Sequence, residues 1–84
     1  MKKIIINGIV RTIKETIDMY TFTENDVECI DMDTICYCMN ENDGVAFDIA
    51  ISECDKRIVS DEEFFEIYLK NAMEDLIILD NDLI

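Results

Sequence analysis

Apolar residues recur along this chain at two different periods. Between residues 9 and 20, Ile9, Ile13, Ile17 and Tyr20 fall on one face of a period of 3.6, with Val10 beside them. Arg11, Lys14, Glu15 and Asp18 occupy the other face, so the pattern predicts an amphipathic helix. Upstream, Lys2 to Ile6 is a β-branched run ended by Asn7-Gly8. It reads equally as a short strand or as the first turns of that helix, with Asn7 as a candidate N-cap. Thr21 to Asn25 is polar and predicts a loop, leading into a strand at Val27 to Met32.

From residue 34 the period changes to 2. Ile35, Tyr37 and Met39 alternate with Cys36 and Cys38, and Val45, Phe47, Ile49 and Ile51 alternate with Ala46, Asp48 and Ala50. Asn40-Glu41-Asn42-Asp43-Gly44 between them offers residues that tolerate positive φ, which predicts a hairpin. Its large residues would share one face; Thr34, Cys36, Cys38, Ala46, Asp48 and Ala50 would form a smaller face that is solvated or makes a contact. Ser60-Asp61-Glu62-Glu63 then has a capping-box form, with three acids suited to the positive end of a helix dipole. Phe65, Tyr68, Leu69, Ala72, Met73 and Leu76 continue as an apolar stripe, predicting a helix over 61–77. The expected fold class is therefore α+β: a three-stranded antiparallel sheet with an N-terminal and a C-terminal helix packed on one face, and an extra short N-terminal strand as the alternative at residues 2–6.

Eighty-four residues are expected to form a single domain, 1–84, and half of them are hydrophobic, which argues against a disordered acidic tail. No apolar run approaches the roughly 20 residues of a membrane-spanning helix. Ile4-Ile5-Ile6 after Lys2-Lys3 is too short for a signal-peptide core, so the expected location is cytoplasmic. Charge changes the picture most. The net charge is −13, and eighteen of the twenty acids lie after Thr23, where only Lys56, Arg57 and Lys70 oppose them. Such a field repels itself on folding and attracts cations or basic surfaces from a distance.

Little in the chain supports catalysis. It has no His, the commonest general base and the usual partner of a nucleophilic Ser or Cys, so it is expected not to be an enzyme. No Gly-rich phosphate loop is present, and the only basic cluster, Lys2, Lys3, Arg11 and Lys14, faces the opposing field of the rest of the chain, which argues against direct nucleic-acid binding. With Gly44 at position 6 of a calcium loop, Met39 falls at position 1 and Ala50 at position 12, and the pattern fails at both ends. Only a nonspecific cation site at Asp31-Asp33 or Asp80-Asp82 is compatible with the acids. Cys29, Cys36, Cys38 and Cys54 read as reduced structural thiols. The alternative of a four-thiolate zinc site is opposed by C-x-C on an extended strand, which splays its sulfurs roughly 7 Å apart. No cofactor or metal is expected.

The carboxylates themselves are the candidate chemistry. A folded acidic surface can occupy a groove that another protein lines with Lys and Arg for nucleic acid, because carboxylates take the bidentate pairing that an Arg fork otherwise gives to phosphate or a guanine edge. The candidate partner-binding residues are Asp31, Asp33, Glu41, Asp43, Asp48, Asp61 and Glu62. Asp31 and Asp33, if on a strand, would share a face about 6.6 Å apart.

With its Asn42-Asp43-Gly44 tip, the order helix, hairpin, acidic linker, helix over residues 27 to 70 resembles the small type II-A anti-CRISPR proteins of phage, which inhibit Cas9. The resemblance implies a DNA mimic that plugs the PAM-reading groove, with Asp43 as the hairpin-tip acid. The family's further acid after the Gly is absent here, where Val45 and Ala46 stand, and its late acidic cluster would correspond to Asp61 to Glu63. The expected partner is thus a basic nucleic-acid-binding groove, with a CRISPR effector or another defence nuclease among the candidates and a bacterial host cell as the setting. The alternative function is a small protein–protein interaction module, monomer or homodimer, whose acids serve solubility.

Overall fold

A computed structural model describes residues 2–83. The N-terminal run is a strand, β1 (Ile4–Ile6), paired antiparallel with β2 (Ile9–Arg11). Asn7 and Gly8 make the connection with φ of 50° and 83°, the paired left-handed conformation of a two-residue hairpin turn. Asn7 is therefore a turn residue and not a helix cap. The predicted helix over 9–20 loses its first turn to β2 and becomes α1 (Ile13–Met19). Thr12 and Glu15 form a reciprocal capping box at its start: Thr12 Oγ1 accepts from Glu15 N–H at 3.1 Å and Glu15 Oε1 accepts from Thr12 N–H at 3.3 Å.

Next comes a hairpin that the polar composition hides. β3 (Thr21–Glu24) and β4 (Val27–Ile30) pair antiparallel around Asn25 and Asp26, whose φ values are 53° and 63°. The predicted hairpin over 35–51 is instead two helices, α2 (Met32–Asn42) and α3 (Gly44–Cys54), joined at Asp43. Burial shows why. Ile35 and Met39 on α2, and Ala46 and Ala50 on α3, are spaced by four and fully buried, whereas Tyr37 and Val45 from the supposed large-residue face are exposed. The face proposed around Cys36, Cys38 and Ala50 does not exist: Ala50 is in the core and both thiols are packed partly against it.

The last helix, α4 (Asp61–Asn71), is shorter than predicted. Ala72 is extended, Met73 is exposed, and Leu76–Ile78 form β5, which pairs parallel with β1. A short 3₁₀ turn at Asn81–Leu83 follows. The main sheet thus has the order β2-β1-β5 and is mixed, while β3-β4 forms a separate two-stranded sheet. The fold is α+β as expected, but the described residues form four α-helices and a mixed sheet in place of two helices on an antiparallel one.

One core holds these parts together. Ile4 and Ile6 of β1 and Leu76 and Ile78 of β5 present one face to α4, whose Phe65, Tyr68 and Leu69 are buried, and to Ile35 and Met39 of α2. α3 packs along α4, where Phe47 and Phe64 meet edge to face with centroids 6.1 Å apart. Among the described residues no helix is long and apolar enough to cross a membrane.

Candidate functional site

The β3–β4 hairpin contributes nothing to that core. No residue from 21 to 30 is buried, and Phe22 to Glu28 are all exposed. An isolated two-stranded ribbon is marginal in water, so the arm is ordered only from its base. There Asp31 N–H donates to Tyr20 C=O at 2.9 Å, extending the ladder into the body. The arm carries Glu24, Asp26 and Glu28 and no cation, together with exposed Phe22, Val27 and Ile30.

At the arm's base lies a groove of about 540 Å³. Tyr20, Thr21 and Phe22 form one wall, Asp31, Thr34, Tyr37 and Cys38 of α2 a second, and Leu79, Asp80 and Asp82 a third. Tyr20 Oη donates to Asp80 Oδ2 at 3.2 Å. Burial first, then the Asp80 carboxylate, pushes the Tyr20 phenol above its ordinary value, so it remains a donor. Asn7 fixes Asp80 from beneath: its amide donates to Asp80 C=O at 2.9 Å and its Oδ1 accepts from Asp80 N–H at 2.8 Å. Asp80 Oδ1 in turn accepts from Asp82 N–H at 3.0 Å. The groove therefore combines preset carboxylates with the exposed aromatic faces of Phe22 and Tyr37, a lining suited to guanidinium or ammonium groups.

The seven residues singled out from sequence scatter over this framework. Asp31 lines the groove but is the N-cap of α2, accepting from Thr34 N–H at 3.2 Å and Thr34 Oγ1 at 2.8 Å. Asp33 is exposed in the next turn, beside Phe22 and Ile30 at the arm's base, so the two acids sit on a helix start and not on a strand. Glu41 is exposed near the end of α2, where Tyr37 and Leu79 connect it to the groove.

Asp43 is engaged within the fold. As N-cap of α3, its Oδ1 accepts from Ala46 N–H and its Oδ2 from Met73 N–H, both at 3.1 Å, tying the α2–α3 junction to the segment after α4. The Met73 and Ala46 bonds hold its carboxyl below the usual range. It is not a hairpin tip. Asp48 is exposed on α3, and Glu62 on α4. Asp61 is half-buried at the start of α4; together with Asp33 it raises the Cys36 thiol pKa, after burial, which places both acids around that side chain. The Ser60 cap is half of the predicted box: Ser60 Oγ accepts from Glu63 N–H at 3.2 Å, but the Glu63 carboxylate pairs with Arg57 at 2.6 Å instead of reaching back.

Sequence reasoning missed Glu24, Asp26 and Glu28, and the aromatic lining of Tyr20, Phe22 and Tyr37. The usable signal was Asn25-Asp26, two residues that tolerate positive φ, flanked by Thr21-Phe22-Thr23 and Val27 to Ile30. Among the described residues no three His, Cys, Asp or Glu side chains converge as a metal site. All four cysteines are free, and Cys36 and Cys38, two apart on a helix, point in roughly opposite directions. Comparison with family models, with curated proteins and with solved structures finds no match for the chain.

Proposed function

We propose that this chain is a non-catalytic binding protein whose acidic arm and groove occupy a basic, nucleic-acid-binding groove on another protein. The observation that carries this reading is the arm: an ordered, exposed hairpin with three acids and no cation, contiguous with a groove of carboxylates and aromatic faces. Such a surface attracts Lys and Arg at long range and offers them both ion pairs and stacking at contact. A defence nuclease such as Cas9 is a partner of this class. Asp43, the residue on which the anti-CRISPR resemblance rested, is engaged within the fold, so the mimicry is assigned to Glu24, Asp26, Glu28 and Asp33.

The test is capture from bacterial lysate on the immobilised protein, with release by duplex DNA and by salt, and a parallel assay of DNA cleavage by guide-loaded Cas9. The expectation is retention of DNA-binding proteins that duplex DNA displaces, lost in the triple variant Glu24→Gln, Asp26→Asn, Glu28→Gln. Retention indifferent to DNA, to salt and to those substitutions would refute the reading. A second reading is favoured by α3, where Val45 and Ile49, four apart on one face, are exposed: homodimerisation through this helix. Light scattering on Val45→Glu and on the parent chain decides it, a parent monomer being the result that excludes it.

A further inference from the structure

Each strand of an antiparallel pair alternates between residues that bond inward and residues whose N–H and C=O point away. The Asp31-to-Tyr20 bond sets the phase on the arm. In the observed register the bonded pairs are Tyr20/Asp31, Phe22/Cys29 and Glu24/Val27, which leaves Thr21 and Thr23 of β3 with their backbone groups directed outward. Among the described residues no bond from another element reaches the N–H or C=O of either threonine. β3 is also the strand that leaves the groove, since Tyr20, Thr21 and Phe22 form one of its walls. Thr21, one of the two outward-directed residues, is thus at the margin of the groove.

We infer that the arm binds its partner by strand addition: an extended segment of alternating basic and apolar residues pairs with the outer edge of β3. The inference deepens the function proposed above and rests on it. Charge complementarity selects the segment. Thr21, Thr23, Glu28 and Ile30 share one face of the arm, and Phe22, Glu24, Val27 and Cys29 the other. A strand alternating cations with β-branched residues places its cations on the face of Phe22 and Glu24, the β3 side chains next to it, where they meet an aromatic ring and a carboxylate, and its β-branched side chains beside Thr21 and Thr23. Main-chain bonds then supply affinity and the two faces supply selectivity. An acidic or uniformly apolar strand is rejected by Glu24, Asp26 and Glu28, the usual way an exposed edge is kept from pairing at random.

The probe is a capped octapeptide of alternating Lys and Val, titrated into ¹⁵N-labelled protein. At saturation, exchange of the Thr21 and Thr23 amides should slow at least tenfold. Thr23→Pro removes one outward N–H, changes no charge and spares the inner ladder; it should weaken the peptide at least tenfold while the melting curve is unchanged. The same peptide N-methylated at every residue keeps its charge and should not bind, a control that holds even where the proline disturbs the arm. Absence of octapeptide binding, equal binding of the methylated peptide, or undiminished binding by Thr23→Pro overturns strand addition. The proposed function is judged separately by the Glu24→Gln, Asp26→Asn, Glu28→Gln variant. If that variant releases DNA-displaceable partners while Thr23→Pro retains them, the acidic face stands and strand addition falls; if neither substitution matters, both fall.

Discussion

Substituting Asp43 by Ala separates the two tasks a carboxylate can have in this chain. Its side chain accepts from Ala46 N–H at the start of α3 and from Met73 N–H beyond α4. Losing an N-cap costs about 1 kcal/mol. Losing a charge-assisted bond costs about 1.5 kcal/mol more, the low end of its range because the Met73 amide is exposed and water replaces the carboxylate. The sum is about 2–3 kcal/mol, or roughly 10–20 °C in Tm for a domain this small. Asp43→Asn is the informative companion. Asn caps as well as Asp but presents one acceptor oxygen, so it should retain the Ala46 bond, lose the Met73 bond and cost about half as much. Urea titrations followed by far-UV circular dichroism measure both. Partner binding, assayed well below the melting temperature, should survive in each. Native-like stability of Asp43→Ala combined with lost binding would show that the capping geometry is incidental and Asp43 is a contact residue after all.

Three further outcomes follow from the same bonds. The Asp43, Glu15 and Glu63 carboxyls are held below their ordinary values by the Met73 and Ala46 amides, by Thr12 and by Arg57 respectively. Their contributions are therefore complete above the unfolded values of 3.8 and 4.5 and are lost as pH falls below them, so urea midpoints should drop on acidification through that window and drop less in Asp43→Asn. Asn7→Ala forfeits both side-chain bonds to Asp80 and puts a less tolerant residue at φ 50°, costing about 2–3 kcal/mol, whereas Asn7→Gly keeps the turn and loses only the bonds; the difference in urea midpoints isolates the turn strain. Burial raises the thiol pKa values of Cys36, Cys38 and Cys54, so mass spectrometry should find these three alkylated by iodoacetamide more slowly at neutral pH in the folded protein than in urea.

Which features could be read from sequence depended on whether a local pattern had one interpretation. α4 did: Phe65, Tyr68 and Leu69 recur at helical spacing behind a Ser60 cap, and all three are buried. Residues 34–51 had two. Alternation of Ile35, Tyr37 and Met39 satisfies a period of 2, yet Ile35 and Met39 are also i and i+4, and a tightly spaced Ala46–Ala50 pair suits close packing of a helix against α4 better than a strand. Asp43-Gly44 then served as cap and first helical residue instead of turn, because the same Asp that tolerates left-handed backbone also caps helices. β5 was invisible as a strand because its partner β1 lies at the other end of the chain, and parallel pairing leaves no local turn signal. The acidic exterior was legible as charge; its organisation into an arm and a groove depends on Tyr20, Asn7 and Asp80, which meet only in the fold.

The acids on the arm have an alternative explanation that the same structure makes testable. Charges on an exposed hairpin discourage edge-to-edge aggregation whatever their sign, and Lys serves that purpose at least as well as Glu. A guarding role is therefore indifferent to reversal, whereas a ligand role is not. Glu24→Lys, Asp26→Lys and Glu28→Lys together leave the core and the groove's Asp31 and Asp80 untouched, and move the net charge from −13 to −7, since each reversal adds two units. That value remains within the roughly 2–8 charges that keep a small domain soluble. The reversed protein should remain monodisperse, melt no lower than the parent, and lose its DNA-displaceable partners, because its arm now repels the groove it is built to enter. Retained capture at undiminished affinity would mean that Glu24, Asp26 and Glu28 guard an edge and that the partner, if it is drawn by charge, is drawn elsewhere.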